Sequence, residues 1–272
     1  MSSTIDGRAA NDRGAGRAEI AARTLRTDLW WRPPLIQAVV LTVLLGYVVV
    51  RLFMRDWYFV GEYNYLTPLY SPCISESCTP GSAHFGTIFG DLPVWIPLPI
   101  VVFPILLGFR GTCYYYRKAV YRSILQSPTA CAVKEPARRY RGESRFPFVL
   151  MNYHRYFFYA ATLLLLINTY DAVLAFFPPV GFGFGLGSLI LVANVVLLWG
   201  YTLSCHACRH VLGGRLKHFS RNPVRYALWA RLSSLNARHM QFAWASLVSV
   251  TLTDVYIMAV SAGWIADLRI VG

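Results

Sequence analysis

The chain has 272 residues, 56% of them hydrophobic and 14% charged, with 26 Lys and Arg against 13 Asp and Glu. Soluble domains carry roughly 25% charged residues, so this composition excludes an ordinary soluble domain and reads as an integral membrane protein. The net charge of +13 resembles that of nucleic-acid binders, but the basic residues alternate with apolar runs as cytoplasmic loops do, and no nucleic-acid partner is expected.

Residues 1–32 form a polar segment with Arg8, Arg13, Arg17, Arg23, Arg26 and Arg32 and no early apolar core. That pattern predicts a cytoplasmic lead and not a cleavable signal peptide. The remainder, 33–272, reads as one membrane domain. Its first apolar run, 34–53, is close to the ~20 residues that a spanning helix needs. Trp30, Trp31 and Arg32 precede it as interface anchors, and Arg51 at its far end is expected to snorkel outward.

Residues 55–91 make a long loop in which Arg55 faces Asp56, Glu62, Glu76 and Asp91. Cys73 and Cys78 lie within its turn-rich stretch Ser71–Pro80. A small disulfide between them is expected on the oxidising side of the membrane. A metal site there would have only His84 nearby.

The second run, 92–113, contains Pro93, Pro97, Pro99 and Pro104, with a kink expected at Pro104. A basic loop, 114–147, then carries Arg117, Lys118, Arg122, Lys134, Arg138, Arg139, Arg141 and Arg145 against Glu135 and Glu143. The third run, 148–177, exits at Pro178-Pro179, and an uncharged glycine-rich turn, 181–187, leads into the fourth, 188–205. The next loop, 209–238, holds Arg209, Arg215, Lys217, Arg221, Arg225, Arg231 and Arg238 and no acid. A fifth run, 240–265, precedes a short tail. Basic segments at the amino terminus, after run two and after run four all fall on one side. The expectation is an all-α, five-helix transmembrane bundle in the plasma membrane, with the amino terminus cytoplasmic and the carboxyl terminus outside.

Two stretches repeat. Gly111-Thr-Cys-Tyr-Tyr-Tyr-Arg-Lys118 and Leu203-Ser-Cys-His-Ala-Cys-Arg-His210 each close an apolar run, with Cys113 in register with Cys205 and Arg117 with Arg209. After each basic loop the next run opens on Asn and His, Asn152 and His154 first, Asn236 and His239 second. The topology sets Cys113, His154, Cys205 and His239 at similar depth near the cytoplasmic ends of separate helices. His206, Cys208 and His210 share that rim, and Cys131 reads as a free thiol in a reducing compartment.

A lone Cys in a membrane helix is usually a small hydrophobe. Borderline ligands on separate helices, paired by a repeat, point instead to a metal. Zinc would be tetrahedral and structural only. Haem b between His154 and His239 leaves both cysteines unused. A Rieske-type [2Fe–2S] cluster uses Cys113, His154, Cys205 and His239 together, with a raised potential that suits a quinone acceptor. Cys208 nearly shares a face with Cys205, so the choice between them, and His210, stays open, with the repeat register favouring Cys205.

The segments Phe109–Ala119 and Leu203–His210 resemble the single-polypeptide membrane anchor of complex II, succinate:quinone oxidoreductase, and in particular the actinobacterial anchors. The resemblance implies a subunit of succinate dehydrogenase with no complete active site of its own. It implies a flavoprotein subunit that oxidises succinate, and an iron–sulfur subunit docked on the cytoplasmic face. It also implies electron delivery through the cluster to a membrane quinone. The chain departs from the commoner five-helix anchors, which hold two haems between histidines on helices one, two, four and five. Here helix one has no His, and helix two offers Cys113. Candidates for the quinone headgroup on the aromatic–basic rim are Trp31, Tyr114, Arg117 and Arg155. The basic loops would serve docking or membrane lipid phosphates. A transporter or scaffold, the reading from another class, would draw on Asp171 and Asp254 in the outer halves of runs three and five. Isolated acids without a matching cation make a weak relay, so hydrogen-bonded structural acids are the expectation there.

Overall fold

The prolines decide where the helices begin. Pro33 and Pro34 occupy the first turn of α1 (Arg32–Met54), where the missing N–H groups would have had no partner. Pro93, Pro97 and Pro99 instead interrupt the second apolar run, so residues 92–101 form turns and helix α2 covers only Val102–Gly111. Pro104 falls in its first turn, which tolerates proline, and the kink expected there is replaced by a late helix start. The chain continues through α3 (Tyr114–Ser123), a 3-10 turn (Phe148–Tyr153) running into α4 (His154–Leu174), α5 (Leu186–Leu203), α6 (His206–Gly213), α7 (Pro223–Asn236) and α8 (His239–Ser261).

This computed structural model describes residues 26–134, 136, 144–146, 148–179, 181–214 and 216–271. The lead before Arg26, with Arg8, Arg13, Arg17 and Arg23, lies outside the described residues, as do Glu135, Arg138, Arg139, Arg141, Glu143 and Arg215. Among the described residues four helical segments are long and apolar enough to cross a membrane: Arg32–Met54, Phe148–Leu174, Leu186–Leu203 and His239–Ser261. The short apolar α2 stands where the second of the expected spans was placed.

Helix α5 packs on α8 and α4, and α2 packs on α4. The all-α expectation needs one amendment: the structure is mostly helical, with short strands among the described residues. Two short antiparallel ladders sit at the end of the bundle away from Cys113 and Cys205. They are β1 (Phe59–Val60) with β2 (Tyr65–Leu66), and β3 (Phe184–Gly185) with β4 (Arg269–Val271). The tail after the fifth run is thereby pinned back onto the start of α5.

Buried polar contacts fasten that end. Arg51 does not snorkel outward: it is 1% exposed. Its Nε donates to Asp254 at 2.6 Å, and its terminal nitrogens donate to Asp254 (3.2 Å) and to the carbonyls of Asp56 (3.0 Å) and Trp57 (3.3 Å). Tyr47 also donates to Asp254. Asp254 is therefore not an isolated acid, and Asp171 is not one either: Ser71 donates to it and His84 Nδ1 lies 2.7 Å from its other oxygen. Asp267 accepts from Tyr65 (2.9 Å), Tyr256 (2.7 Å) and the Gly187 N–H (2.9 Å). A disulfide joins Cys73 and Cys78 in the loop that these carboxylates hold down. Local sequence reading had no way to pair Arg51 with an acid about two hundred positions downstream.

Removing one partner of a buried ion pair leaves an uncompensated charge. Asp254→Ala is expected to cost about 3–5 kcal/mol, and the pair Arg51→Met with Asp254→Leu distinctly less. Thermal midpoints of the detergent-solubilised protein check this, and a double variant as unstable as the single one would refute the electrostatic account.

Candidate metal centre

Each repeated cysteine marks a break between two helices. Cys113 separates α2 from α3 with extended backbone (φ −66°, ψ 133°), and Cys205 separates α5 from α6 in the same conformation (φ −63°, ψ 142°). An extended residue between two helical turns is an N-cap position, where the side chain faces back to the new helix. Cys205 Sγ accepts the Ala207 N–H at 3.4 Å. Both sulfurs are buried in one apolar cluster together with Phe109, Tyr116, Phe158, Tyr201 and Cys208.

The residue before each cysteine holds a histidine from a neighbouring helix. Thr112 Oγ1 lies 2.8 Å from His154 Nδ1, and Ser204 Oγ lies 2.7 Å from His239 Nδ1. Each hydroxyl already donates its one proton to a carbonyl, Thr112 to Gly108 (2.6 Å) and Ser204 to Tyr201 (3.1 Å). The oxygen is left to accept, so each imidazole carries its proton on Nδ1 and an unshared pair on Nε2. That pair is directed across to the other hairpin: His154 Nε2 is 3.1 Å from Cys205 Sγ, and His239 Nε2 is 3.6 Å from Cys113 Sγ.

The repeat extends upstream. Phe109 stacks on His154 (centroids 5.2 Å, 7° between planes), and Tyr201, in the same register, stacks on His239 (5.0 Å, 10°). One residue earlier, Gly108 and Gly200 let the neighbouring helices approach. A Cβ at Gly108 would sit 2.1 Å from the Phe157 ring, and one at Gly200 would sit 2.6 Å from Phe242. The pattern Gly-Phe/Tyr-x-x-Thr/Ser-Cys, answered by His-x-x-Phe, is legible in the sequence once the register is carried five residues back from the cysteine. A comparison beginning at Thr112 and Ser204 misses the glycines and the stacking rings.

Cys113, His154, Cys205 and His239 thus meet as two crossed Cys–His pairs. The two imidazoles are within electrostatic reach of each other, and so are the Cys113 and Cys205 thiols. Among the described residues no group of three or more His, Cys, Asp or Glu side chains is placed to hold a single metal ion. The crossed pairs bring two imidazole nitrogens and two sulfurs into one buried cluster, donors of the kinds that mixed-ligand iron–sulfur centres use. Cys208 is buried nearby, and none of the hydrogen bonds found among the described residues joins it to an imidazole. His210 faces Arg155 at the surface.

The rim residues divide. Trp31 lines a cavity of about 400 Å³ with Trp30, Arg122, Ser123 and Gln126. Tyr114 and Arg117 line a second, of about 320 Å³, with Lys118 and Ser127; the two cavities share Arg122 and Pro128. Arg155 stands apart, against His210. Arg122 joins the two cavities, a role that a basic loop read by charge count does not single out. An apolar groove of about 230 Å³ runs beside α1, lined by Leu41, Leu45, Leu106, Val120 and Ile124 among others.

The family model of the actinobacterial succinate dehydrogenase subunit SdhC matches residues 32–263. A chain of the Mycobacterium smegmatis Sdh1 complex, solved in the apo form, is similar at 60% identity and a TM-score of 0.88, over 94% of this chain and 97% of that one. No curated protein sequence matches significantly.

The two glycines give a test of the geometry. Gly108→Ala and Gly200→Ala are each expected to cost about 1–3 kcal/mol by forcing Phe157 or Phe242 aside. Gly46→Ala, on the open face of α1 with nothing within 4 Å of the new Cβ, should be stabilising by up to about 1 kcal/mol. Chemical denaturation in detergent reads all three, and equal effects at the three sites would contradict the close approach.

Proposed function

The chain belongs to the actinobacterial succinate dehydrogenase SdhC family, and from that membership we propose that it delivers electrons to a membrane quinone, with Cys113, His154, Cys205 and His239 holding a Rieske-type [2Fe–2S] cluster. It is the membrane-anchor subunit of a succinate dehydrogenase complex, and the catalytic subunits of that complex are its partners. Succinate is oxidised in those subunits, a flavoprotein and an iron–sulfur protein. This chain supplies no complete active site of its own.

The observation that carries the reading is the crossed arrangement of the ligands. Each imidazole is locked by a hydroxyl at Nδ1 and offers Nε2 to the sulfur of the opposite hairpin at 3.1 or 3.6 Å. Bound there, the cluster supplies a one-electron carrier whose imidazole ligands raise its potential relative to an all-cysteine centre. The protein's own contribution is orientation and dryness. Thr112 and Ser204 fix the tautomers, Phe109 and Tyr201 fix the ring planes, and the surrounding apolar cluster excludes water. Haem b between His154 and His239 would need the two Nε2 atoms to face an open slot as wide as a porphyrin. Both face sulfur instead, which favours the cluster.

Several further parts of the reading go together. The basic loops put the cysteine end of the bundle on the cytoplasmic side of the plasma membrane, where the catalytic subunits dock, with five apolar segments embedded. The domain is then 33–272, with 55–91 outside and 114–147 and 209–238 inside. A quinone headgroup suits the paired cavities of Trp31, Tyr114, Arg117 and Arg122. Tyr114 directly follows the ligand Cys113, and the groove beside α1 suits an isoprenoid tail. Arg155, on the same rim, is hydrogen-bonded to His210. A transporter reading is weakened by Asp171 and Asp254, whose oxygens are engaged by Ser71, His84, Tyr47 and Arg51.

In the assembled complex, His154→Ala and His239→Ala should abolish quinone reduction while succinate oxidation by a soluble dye persists. Quinone reduction surviving in both variants would sink the proposal, and a Soret band in the reduced protein would replace the cluster by haem. Thr112→Val and Ser204→Ala, which free the imidazoles without removing them, should lower iron retention by roughly 10–100-fold in metal affinity, read as iron per complex after dialysis against a chelator.

A further inference from the structure

The two halves of the repeat differ in the ring that covers each histidine. Phe109 over His154 is apolar; Tyr201 over His239 carries a hydroxyl. Tyr201 is 1% exposed, and its hydroxyl has no hydrogen-bond partner among the described residues. A buried hydroxyl without a partner is costly and rare. The ring is stacked on His239, whose Nε2 is 3.6 Å from the thiol of Cys113 on the opposite hairpin, and that thiol, the Arg110 guanidinium and the Tyr116 hydroxyl are the groups within its electrostatic reach.

A cation lies behind the same ring. The Arg110 guanidinium is 4.9 Å from the Tyr201 ring centroid. It is held there by donation to the Tyr116 hydroxyl (2.6 Å), Ser246 Oγ (3.1 Å) and the Ala243 carbonyl (3.3 Å). In the other half the residue in register with Arg110 is Thr202. The buried acids of the described chain, Asp171, Asp254 and Asp267, are all at the far end of the bundle. One flank of the site therefore has a spare donor and a fixed positive charge, and the other has a bare phenyl ring.

Resting on the cluster assignment above, we propose that Tyr201 is a positioning residue whose hydroxyl donates to the Cys113 thiolate, and that Tyr201 and Arg110 together raise the reduction potential of the site. A donor on a ligand sulfur withdraws electron density from it. A half-buried guanidinium held beside the ring favours the form that has gained an electron. Hydrogen bonds to sulfur and buried charge are the protein's usual means of setting the potential of such a centre. One electron enters and no bond is made or broken. Tyr201 is fixed by its stacking on His239, so its donor is in place before reduction and need not reorganise.

The test is a redox titration of the site's paramagnetic signal in the intact complex, comparing the natural chain with Tyr201→Phe. The variant removes one oxygen that holds no other partner and should keep both fold and signal. At a given solution potential its ratio of oxidised to reduced site should rise roughly fivefold, tenfold being 59 mV for one electron. A Tyr201→Phe signal at the natural potential overturns the hydroxyl's role. Arg110→Met should shift the ratio in the same direction and Arg110→Lys much less; identical potentials in these two overturn the role of the charge. If the natural complex shows no such signal, the cluster assignment itself fails and the proposal falls with it, an outcome distinct from an unchanged potential.

Discussion

The constraint on which the cysteine end depends is a hydroxyl with its proton already committed. Thr112 and Ser204 each donate to a carbonyl of the preceding helix, so each accepts from an imidazole, and the imidazole has to present Nε2 elsewhere. Because the following residue is extended, its thiol leaves the helix axis and turns into the space between the helices. The two effects together set which nitrogen of each histidine meets which sulfur. Without the committed hydroxyl the ring could flip or take the other tautomer, and a lone pair would point at apolar side chains.

The opposite end is held by a different kind of contact. Of helix α1 only Arg51 and Leu52 are buried, so side-chain packing does little to fix it to the bundle. Lipid is as apolar as its exposed leucines and valines and supplies no hydrophobic drive between helices. The Arg51 and Tyr47 contacts with Asp254 do the fixing instead, and the Arg51 guanidinium ties the start of the 55–91 loop into the same knot. A buried ion pair is weak evidence of net stability but strong evidence of register, because a mispaired state strands a charge in hydrocarbon. The helix that packs least is thus placed by electrostatics at its carboxyl-terminal end and by α3 near its start.

What the sequence makes legible follows from the range of the interactions. Runs one, three, four and five show in composition alone and match α1, α4, α5 and α8 to within a few residues, apart from the 3-10 turn that opens the third. The second run is as apolar as the others, but three prolines before Val102 withhold the donors that a helix needs, and composition does not register that. Cys113, His154, Cys205 and His239 stand out because the chain repeats them. The glycines and rings behind them are equally repeated but resemble any membrane helix until the structure shows Phe157 and Phe242 against them. The Arg51–Asp254 and His84–Asp171 pairs have no local signature at all. Each joins residues about ninety or more positions apart, and only the folded bundle brings them together.

The duplicated hairpin explains why the candidate centre lies between the two repeats and not within either. A hairpin alone offers one sulfur, and the histidine that its own hydroxyl holds points at the sulfur of the other hairpin. His154 is held by Thr112 yet faces Cys205; His239 is held by Ser204 yet faces Cys113. Each imidazole is therefore a strut between the halves, and neither half closes a ligand set by itself. Two identical halves would give a symmetric environment to both ends of whatever binds there. The exchange of Phe109 for Tyr201 and of Thr202 for Arg110 breaks that symmetry with a hydroxyl and a cation on one side only. For the proposed cluster, that difference would make electron gain at one flank easier than at the other.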